Sequence, residues 1–514
     1  MAAEAIARQG SVSRAAVLVT ALTAISTLFG FLRDVVIAAV YGAGASLDAY
    51  LVAQGLMNIV LGLIAYAMAR SVIPVTAREA AAEPDGCKGH SGFDVALTVT
   101  MVVLGLGAIV MGIFAGPVTS LIAPGFEGAQ FELTQQLTRI VLVATVLIAG
   151  TDLLAAVAQA HGRVVWSSLQ GVPFNIIMIG AAGVFGPRYG ISALAVGFVV
   201  GSGARLLLQL PPLRALGTRV RPSLALRDPG FREIARLVPP LLVGSAIGNI
   251  NTLVDRAVGS TLEEGAITAL SYGWRLVNLP ETLLIASLLV PLYPALSAAS
   301  KDPTEVRRLV GRGLAVTVTV LAPLCLILAL AAAPLVELAY GRGAFDAEDA
   351  AATATAVVWY APALIALGCR QVVVSASYAV GDSKAPVIVA VVAMLVNVVG
   401  DILLAPVLGI AGIALATSAS LLGAALLNGW LLHRRHGGLD AGAAAALVGR
   451  AALLAVVAGG AGLVVAQLLD GRHPAVLAGA IGAVVGGLYV LGLMVLRAPE
   501  RHVPFDMLRA ARRR

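Results

Sequence analysis

The sequence predicts an all-α integral membrane protein of fourteen transmembrane helices, built as two pseudo-symmetric six-helix lobes followed by two C-terminal helices. Three observations predict it: a composition too apolar for water, apolar runs of span length, and basic residues that alternate between successive loops. Of 514 residues, 59% are hydrophobic and 12% charged, with a mean hydropathy of +0.93. Ordinary globular chains carry about 25% charged residues. A water-soluble fold cannot hide that much apolar surface. Runs of about 20 apolar residues recur from Ala15 to Leu496, each long enough to cross a hydrocarbon core of about 30 Å. The ten-residue alternation of outer-membrane strands is absent, so helices must satisfy the backbone.

The first run, Ala15 to Tyr41, is too long for a signal-peptide core and is followed by no small-residue cleavage site, so it reads as a retained helix. Spans are expected to begin near Ala15, Asp48, Gly92, Phe131, Val164, Gly190, Phe231, Ala266, Val306, Ala350, Ala385, Gly409, Gly449 and Pro474. An even count puts both termini on one side. Loops on that side receive Arg8, Arg14, Arg78, Lys88, Arg163, the six arginines from Arg214 to Arg236, Lys301 to Arg312, Lys384, Arg434 to Arg450, and the tail from Arg497 to Arg514. The opposite loops keep Arg188, Arg256, Arg342 and Arg472. The positive-inside rule makes the rich side cytoplasmic, in a multi-pass protein of the cytoplasmic (inner) membrane. The basic tail reads as a topology determinant touching anionic headgroups.

An internal repeat sets the expected boundaries. Leu56-Met57-Asn58 resembles Leu276-Val277-Asn278, Gly162 matches Gly381, and Gly190 to Ala195 resembles Gly409 to Ala416, at an offset of roughly 220 residues throughout. Six helices per repeat give both halves the same orientation, related by an axis along the membrane normal. The expected parts are 1–222 (helices 1–6), 223–436 (helices 7–12), and 437–514 (helices 13–14 with the basic tail). Gly and Ala within the spans allow close helix packing. Pro280, Pro323 and Pro362 fall within apolar runs, where the ring and missing N–H kink or break helices.

Charges inside spans carry the functional reading, because each costs about 2.5–3.5 kcal/mol even on the lenient insertion scale. Arg33, Arg70, Arg139, Arg205, Arg275 and Arg370 lie in spans. Arg70 and Arg370, near cytoplasmic ends, are read as snorkelling. Arg205 is left open. Arg33, Arg139 and Arg275 lie at a similar depth of about 12 Å from the opposite end. Facing one cavity, they would form a cationic patch for a phosphate or pyrophosphate; otherwise each snorkels or pairs with helix neighbours. Asp34 adjoins Arg33, but consecutive helical residues point about 100° apart, so adjacency alone is not expected to neutralise them. Asp48 opens the second span, where a carboxylate suits a helix N-terminus. Asp152, Glu281 and Asp401 can each pair an arginine or carry a coupling proton or cation.

Other chemistries find no support. With Lys88, Lys301 and Lys384 as the only lysines there is no P-loop. The six histidines and Cys87, Cys325 and Cys369 lack metal-ligand or disulfide spacing. The net charge of +7 is distributed between helices rather than on a nucleic-acid-binding face. No cofactor, metal, nucleic-acid partner or enzymatic site is expected.

Gly30-Phe31-Leu32-Arg33-Asp34, Tyr41 to Gly44, and Asp48-Ala49-Tyr50 resemble the opening signature of the MurJ/MviN-type lipid II flippases of the MOP exporter superfamily. The likeness continues through Tyr272 to Pro280, Pro291 to Ser297, Tyr340 to Asp349, Tyr378 to Pro386 and Gly409 to Thr417. The resemblance implies a central cavity and outward translocation, by alternating access, of a polyprenyl-pyrophosphate-linked peptidoglycan precursor, with helices 13 and 14 lining a groove for the lipid tail. It makes Arg33 and Arg275 cavity arginines and Asp48 a functional acid; Asp34, Arg139 and Asn58 complete the expected substrate-binding set. The partners are then a lipid-linked anionic glycan precursor, membrane lipids, and a coupling cation or proton. The chain departs from the family pattern at Thr27, Leu61, Gly62 and Tyr66, where the family carries charge. A different lipid-linked saccharide, or a multidrug/cation antiporter of the same superfamily, is the alternative.

Overall fold

The computed structural model describes residues 2–58, 62–82, 91–217, 220–289 and 292–503. Leu61, Cys87, Lys88, His90, Pro291 and the tail arginines beyond Val503 lie outside them. No strand occurs among the described residues. The chain divides into two compact units, Met1–Glu264 with Gly343–Phe345, and Gly265–Arg342 with Asp346–Arg514.

The first unit contains α1 (Ala2–Tyr41), α2 (Ala45–Leu56), α3 (Gly62–Ala82), α4 (Ser91–Ile113), α5 (Ala115–Ile122), α6 (Gly128–Ala160), α7 (Val164–Leu169) and α8 (Gly171–Gly180). A π-helical turn, Ala181–Phe185, leads to α9 (Gly186–Tyr189), then α10 (Ile191–Leu208), α11 (Leu210–Ala215) and α12 (Pro229–Gly259). Its core sits where α3, α4, α6 and α12 meet, around Val72, Phe93, Leu153, Val157 and Ile234. Helix α12 therefore packs with this unit, although the sequence repeat begins a new part at residue 223. Compactness and the sequence repeat divide the chain at different points.

The second unit contains α13 (Ala266–Leu289), α14 (Leu292–Ala298), α15 (Pro303–Leu330), α16 (Ala332–Tyr340), α17 (Ala347–Ala379), α18 (Lys384–Leu408), α19 (Ile410–His436), α20 (Ala441–Leu468) and α21 (Pro474–Val495), ending in a 3-10 turn at Pro499–His502. Its core joins α15, α17, α20 and α21 through Val310, Val372, Leu454, Ile481 and Tyr489. Carboxylates set several helix starts by accepting orphan N–H groups. Asp302 caps α15, Asp346 forms a capping box on α17, and Asp440 caps α20. That cap starts α20 at Ala441 rather than near Gly449.

Eleven helices among the described residues are long and apolar enough to cross a membrane. The protein is thus an all-α, multi-span membrane protein. The expected spans at Asp48, Phe231 and Ala266 fall on α2–α3, α12 and α13, which are helical but interrupted or more polar, and stand outside the eleven. Along α18, Ile388, Leu395, Val399, Leu403 and Val407 are all more than half exposed, a row suited to lipid rather than water. Pro280, Pro323 and Pro362 do not break their helices: α13, α15 and α17 run through them. The interruptions come instead at Phe114, the π turn and Ala331.

The glycines matched by the repeat adopt matching conformations. Gly162 and Gly381 have φ of 75° and 85°, each ending a helix with the next residue's N–H bonding back five positions, Arg163 to Ala158 and Asp382 to Ser377. Gly190 and Gly409 have φ of 59° and 58°. A left-handed residue at such a stop carries no penalty only when it is glycine.

Candidate functional site

In the first unit, the charges predicted on α1 gather partners from α8, whose Phe174 is in turn met by α10. The Arg33 guanidinium donates from Nε (3.0 Å) and Nη2 (2.7 Å) to Asp34 Oδ1, and from Nη1 to Asn175 Oδ1 at 3.0 Å. Adjacency therefore does pair Arg33 with Asp34, contrary to the helical-wheel argument. The Cβ vectors diverge, but the long arginine stem curls back to the short carboxylate, and hydrocarbon favours the closed pair. Asn175 in turn donates to the Ser26 carbonyl at 3.3 Å. Both charged side chains are largely buried, 16% and 10% exposed.

The Phe174 ring lies beneath two guanidinium groups, with Arg33 Cζ 5.9 Å and Arg205 Cζ 5.5 Å from its centroid. Phe198 meets the same ring edge-on at 5.5 Å. Gly201 makes room for it, since a Cβ there would stand 2.9 Å from Phe174 Cδ2. Asp152, on α6, lies within Coulombic reach of Arg205. That resolves the open reading of Arg205: it is a half-buried member of a polar cluster, its Nε without a hydrogen-bond partner among the described residues.

Asp48 is buried, 2% exposed, in the first turn of α2. The N-cap of that helix is Gly44, with no side-chain cap, so the capping reading of Asp48 is replaced by a buried carboxylate near a helix N-terminus. Tyr50, also buried, is within Coulombic reach of Arg33 and Asp34. Asn58 is exposed just beyond α2. Arg139 is exposed and donates from Nε to the Gly112 carbonyl of α4 at 3.2 Å, a bond to a helix neighbour. Arg70 lies 5.2 Å over the exposed Tyr66 ring.

In the second unit, Arg275 is half-buried on α13, nine residues after Ala266; Arg33 stands eight before the end of α1. The aromatic neighbours of Arg275 fix the α13 backbone: Tyr272 stacks on Tyr340 at 4.6 Å, and Trp274 meets Tyr360 edge-on at 5.1 Å. Glu281 lies within Coulombic reach of Arg370. On α18, Asn397 Nδ2 donates to Asp401 Oδ1 at 3.3 Å and to Thr417 Oγ1 of α19 at 3.4 Å. Asn397 and Asp401 are 1% and 0% exposed. Sequence reading found Asp401 but missed Asn397 and Thr417, although the i, i+4 spacing of Asn397 and Asp401 on an apolar helix was a usable signal. It also missed Phe174 and Asn175, whose roles depend on tertiary contacts.

A cavity of about 730 Å³ lies elsewhere in the second unit, between α15, α20 and the 3-10 turn, and contains none of the predicted site residues. No group of three or more metal-ligating side chains occurs among the described residues.

A sequence model described as lipid II flippase MurJ matches residues 37–476. The chain is 30% identical over 434 residues to the probable lipid II flippase MurJ of Vibrio cholerae serotype O1, covering 82% of each chain. It is 28% identical over 434 residues to the lipid II flippase MurJ of Burkholderia cenocepacia, again covering 82% of each. Its fold matches a solved lipid II flippase MurJ in an inward closed conformation with a TM-score of 0.78 at 21% identity, over 94% of this chain and 99% of that one. An inward-facing multidrug resistance MATE family transporter of the MOP superfamily follows at a TM-score of 0.62 and 16% identity, over 82% and 98%. With a match running from the end of its first helix into its last span, the chain belongs to the lipid II flippase MurJ family.

Proposed function

We propose that this protein is a transporter, not an enzyme, that moves lipid II across the cytoplasmic membrane by alternating access. The observation that carries the reading is the family match across residues 37–476, with relatives covered over 82% of their own length. Arg33 and Arg275, charged residues retained on membrane helices, bind the pyrophosphate, exchanging part of their present partnerships for bidentate contacts with it. Asp34 and Asn175 hold Arg33 while the site is empty, and Asp48 and Asn58 complete the polar lining. Arg139, already bonded on an exposed helix face, stays outside it.

The alternation of basic residues places both termini in the cytoplasm, with all fourteen helical stretches crossing the bilayer. The first twelve form two six-helix lobes, and the last two line the path of the lipid tail. A coupling cation binds at Asp401, Asn397 and Thr417: the three converge at hydrogen-bond distances in a buried place, and all offer oxygen ligands.

A second reading concerns the head group. Thr27 and Tyr66 stand where the family carries charge; Thr27 Oγ1 bonds the Thr23 carbonyl at 2.9 Å, and Tyr66 lies under Arg70. Neither supplies the charge: Thr27 stands for an arginine and Tyr66 for an acid. The site therefore also suits another polyprenyl-pyrophosphate-linked saccharide. Complementation distinguishes the two. The chain should restore growth to a bacterium depleted of its own lipid II flippase; if expressed, membrane-inserted protein gives no growth, lipid II is not its substrate.

A further inference from the structure

A buried arginine that must exchange partners during transport needs something that holds its place without using its N–H groups. In the first unit that candidate is an aromatic face. Phe174 is 8% exposed, lies within cation–π range of both Arg33 and Arg205, and is itself fixed by Phe198 and by the space left at Gly201. The next residue, Asn175, bonds Arg33 Nη1 and is tied to the Ser26 carbonyl of α1. Two consecutive positions of α8 thus hold one guanidinium through different chemistries, one of which leaves every N–H available.

We propose that Phe174 is a positioning residue for Arg33: its ring keeps the guanidinium oriented when Asp34 and Asn175 release it to an anionic substrate, while Arg205, from α10, meets the same ring. The proposal rests on the reading of Arg33 as a pyrophosphate ligand. A guanidinium over a ring keeps its edges open for bidentate hydrogen bonds, whereas a guanidinium in a second carboxylate pair does not. The ring makes no contact with substrate in this account. It acts through Arg33.

The test uses the full-length protein in proteoliposomes, with fluorescent lipid II as the probe, on equal amounts of folded protein. Phe174→Leu, which keeps an apolar side chain but loses the π face, should raise the half-saturating lipid II concentration about fivefold to tenfold, with the maximal rate little changed. Phe174→Trp, with a stronger cation–π face, should come back to within about twofold of wild type. Phe174→Met, which is also apolar and without a π face, is the second variant should Phe174→Leu fold poorly, and should shift the same parameter in the same direction. Leucine at 174 performing like phenylalanine, or tryptophan failing as badly as leucine, would overturn the proposal. Arg33→Ala separates the two levels. If it is impaired while Phe174→Leu is normal, only the positioning role fails; if Arg33→Ala transports normally, the reading of Arg33 fails, and the role of Phe174 with it.

Discussion

Arg33 and Asp34, consecutive on α1, form an ion pair at 2.7 Å within a membrane helix. Breaking a buried pair leaves one charge without compensation, which costs far more than the pair contributes. Asp34→Asn should therefore destabilise the protein by about 1–3 kcal/mol, and the Asp34→Asn/Arg33→Met double variant should recover part of that loss. Thermal unfolding in detergent checks it. Additive losses in the double variant would show that the two side chains do not interact.

Asp382 supplies the pH dependence. Its carboxylate accepts from the Ala385 N–H at 3.0 Å and faces His436 Nε2 at 3.1 Å and Arg435 Nη1 at 3.4 Å, which together hold it below the usual carboxylate range. A depressed folded-state value stabilises above the unfolded value of about 3.9, and that contribution disappears as pH falls through the folded value. Wild type should be more stable than Asp382→Asn at neutral pH, with the difference steady down to about pH 4 and shrinking below it. A difference that grows on acidification would reverse the assignment.

The repeat makes a quantitative prediction. Gly190 and Gly409 share a positive φ, and a Cβ at either meets no atom within 4 Å, so only backbone strain opposes a side chain. With ψ of −153° and −134°, both lie in a region open essentially to glycine, and Gly190→Ala and Gly409→Ala should each cost about 1–3 kcal/mol and agree within experimental error. Strongly unequal losses in unfolding midpoint would argue against equivalent positions.

Close helix approach gives another. A Cβ on Gly197 would stand 2.3 Å from Ala181 Cβ, where α10 crosses the π turn. Gly197→Val should lower stability by about 1–3 kcal/mol, whereas Gly203→Ala, facing only Leu147 Cδ1 at 4.0 Å, should be nearly neutral. Equal effects at both positions would show that this crossing is not tight.

The fold class and most span starts were readable because membrane helices obey length and apolarity, quantities that a sequence states directly. Val164, Ala266 and Pro474 begin helices where expected. The start of α20 was displaced because Asp440, a cap, outweighs the apolar pattern that begins later. The arginines were readable as costly charges. Their partners were not: Arg33 meets Asn175 from 142 positions away, and Arg205 meets Asp152 and Phe174 across other helices. Side-chain reach is equally invisible to a helical wheel, which is why the Arg33–Asp34 pair was not expected.

The proposed role of Arg33 and Arg275 is to bind a lipid-linked pyrophosphate during transport. Its most direct measurement is the rate at which fluorescent lipid II changes leaflets in proteoliposomes containing wild type, Arg33→Ala or Arg275→Ala. Wild type should flip the lipid, and each variant should lose tenfold or more, on the order of 1.4 kcal/mol or above. Wild-type rates in both variants, with wild-type protein active, would contradict it.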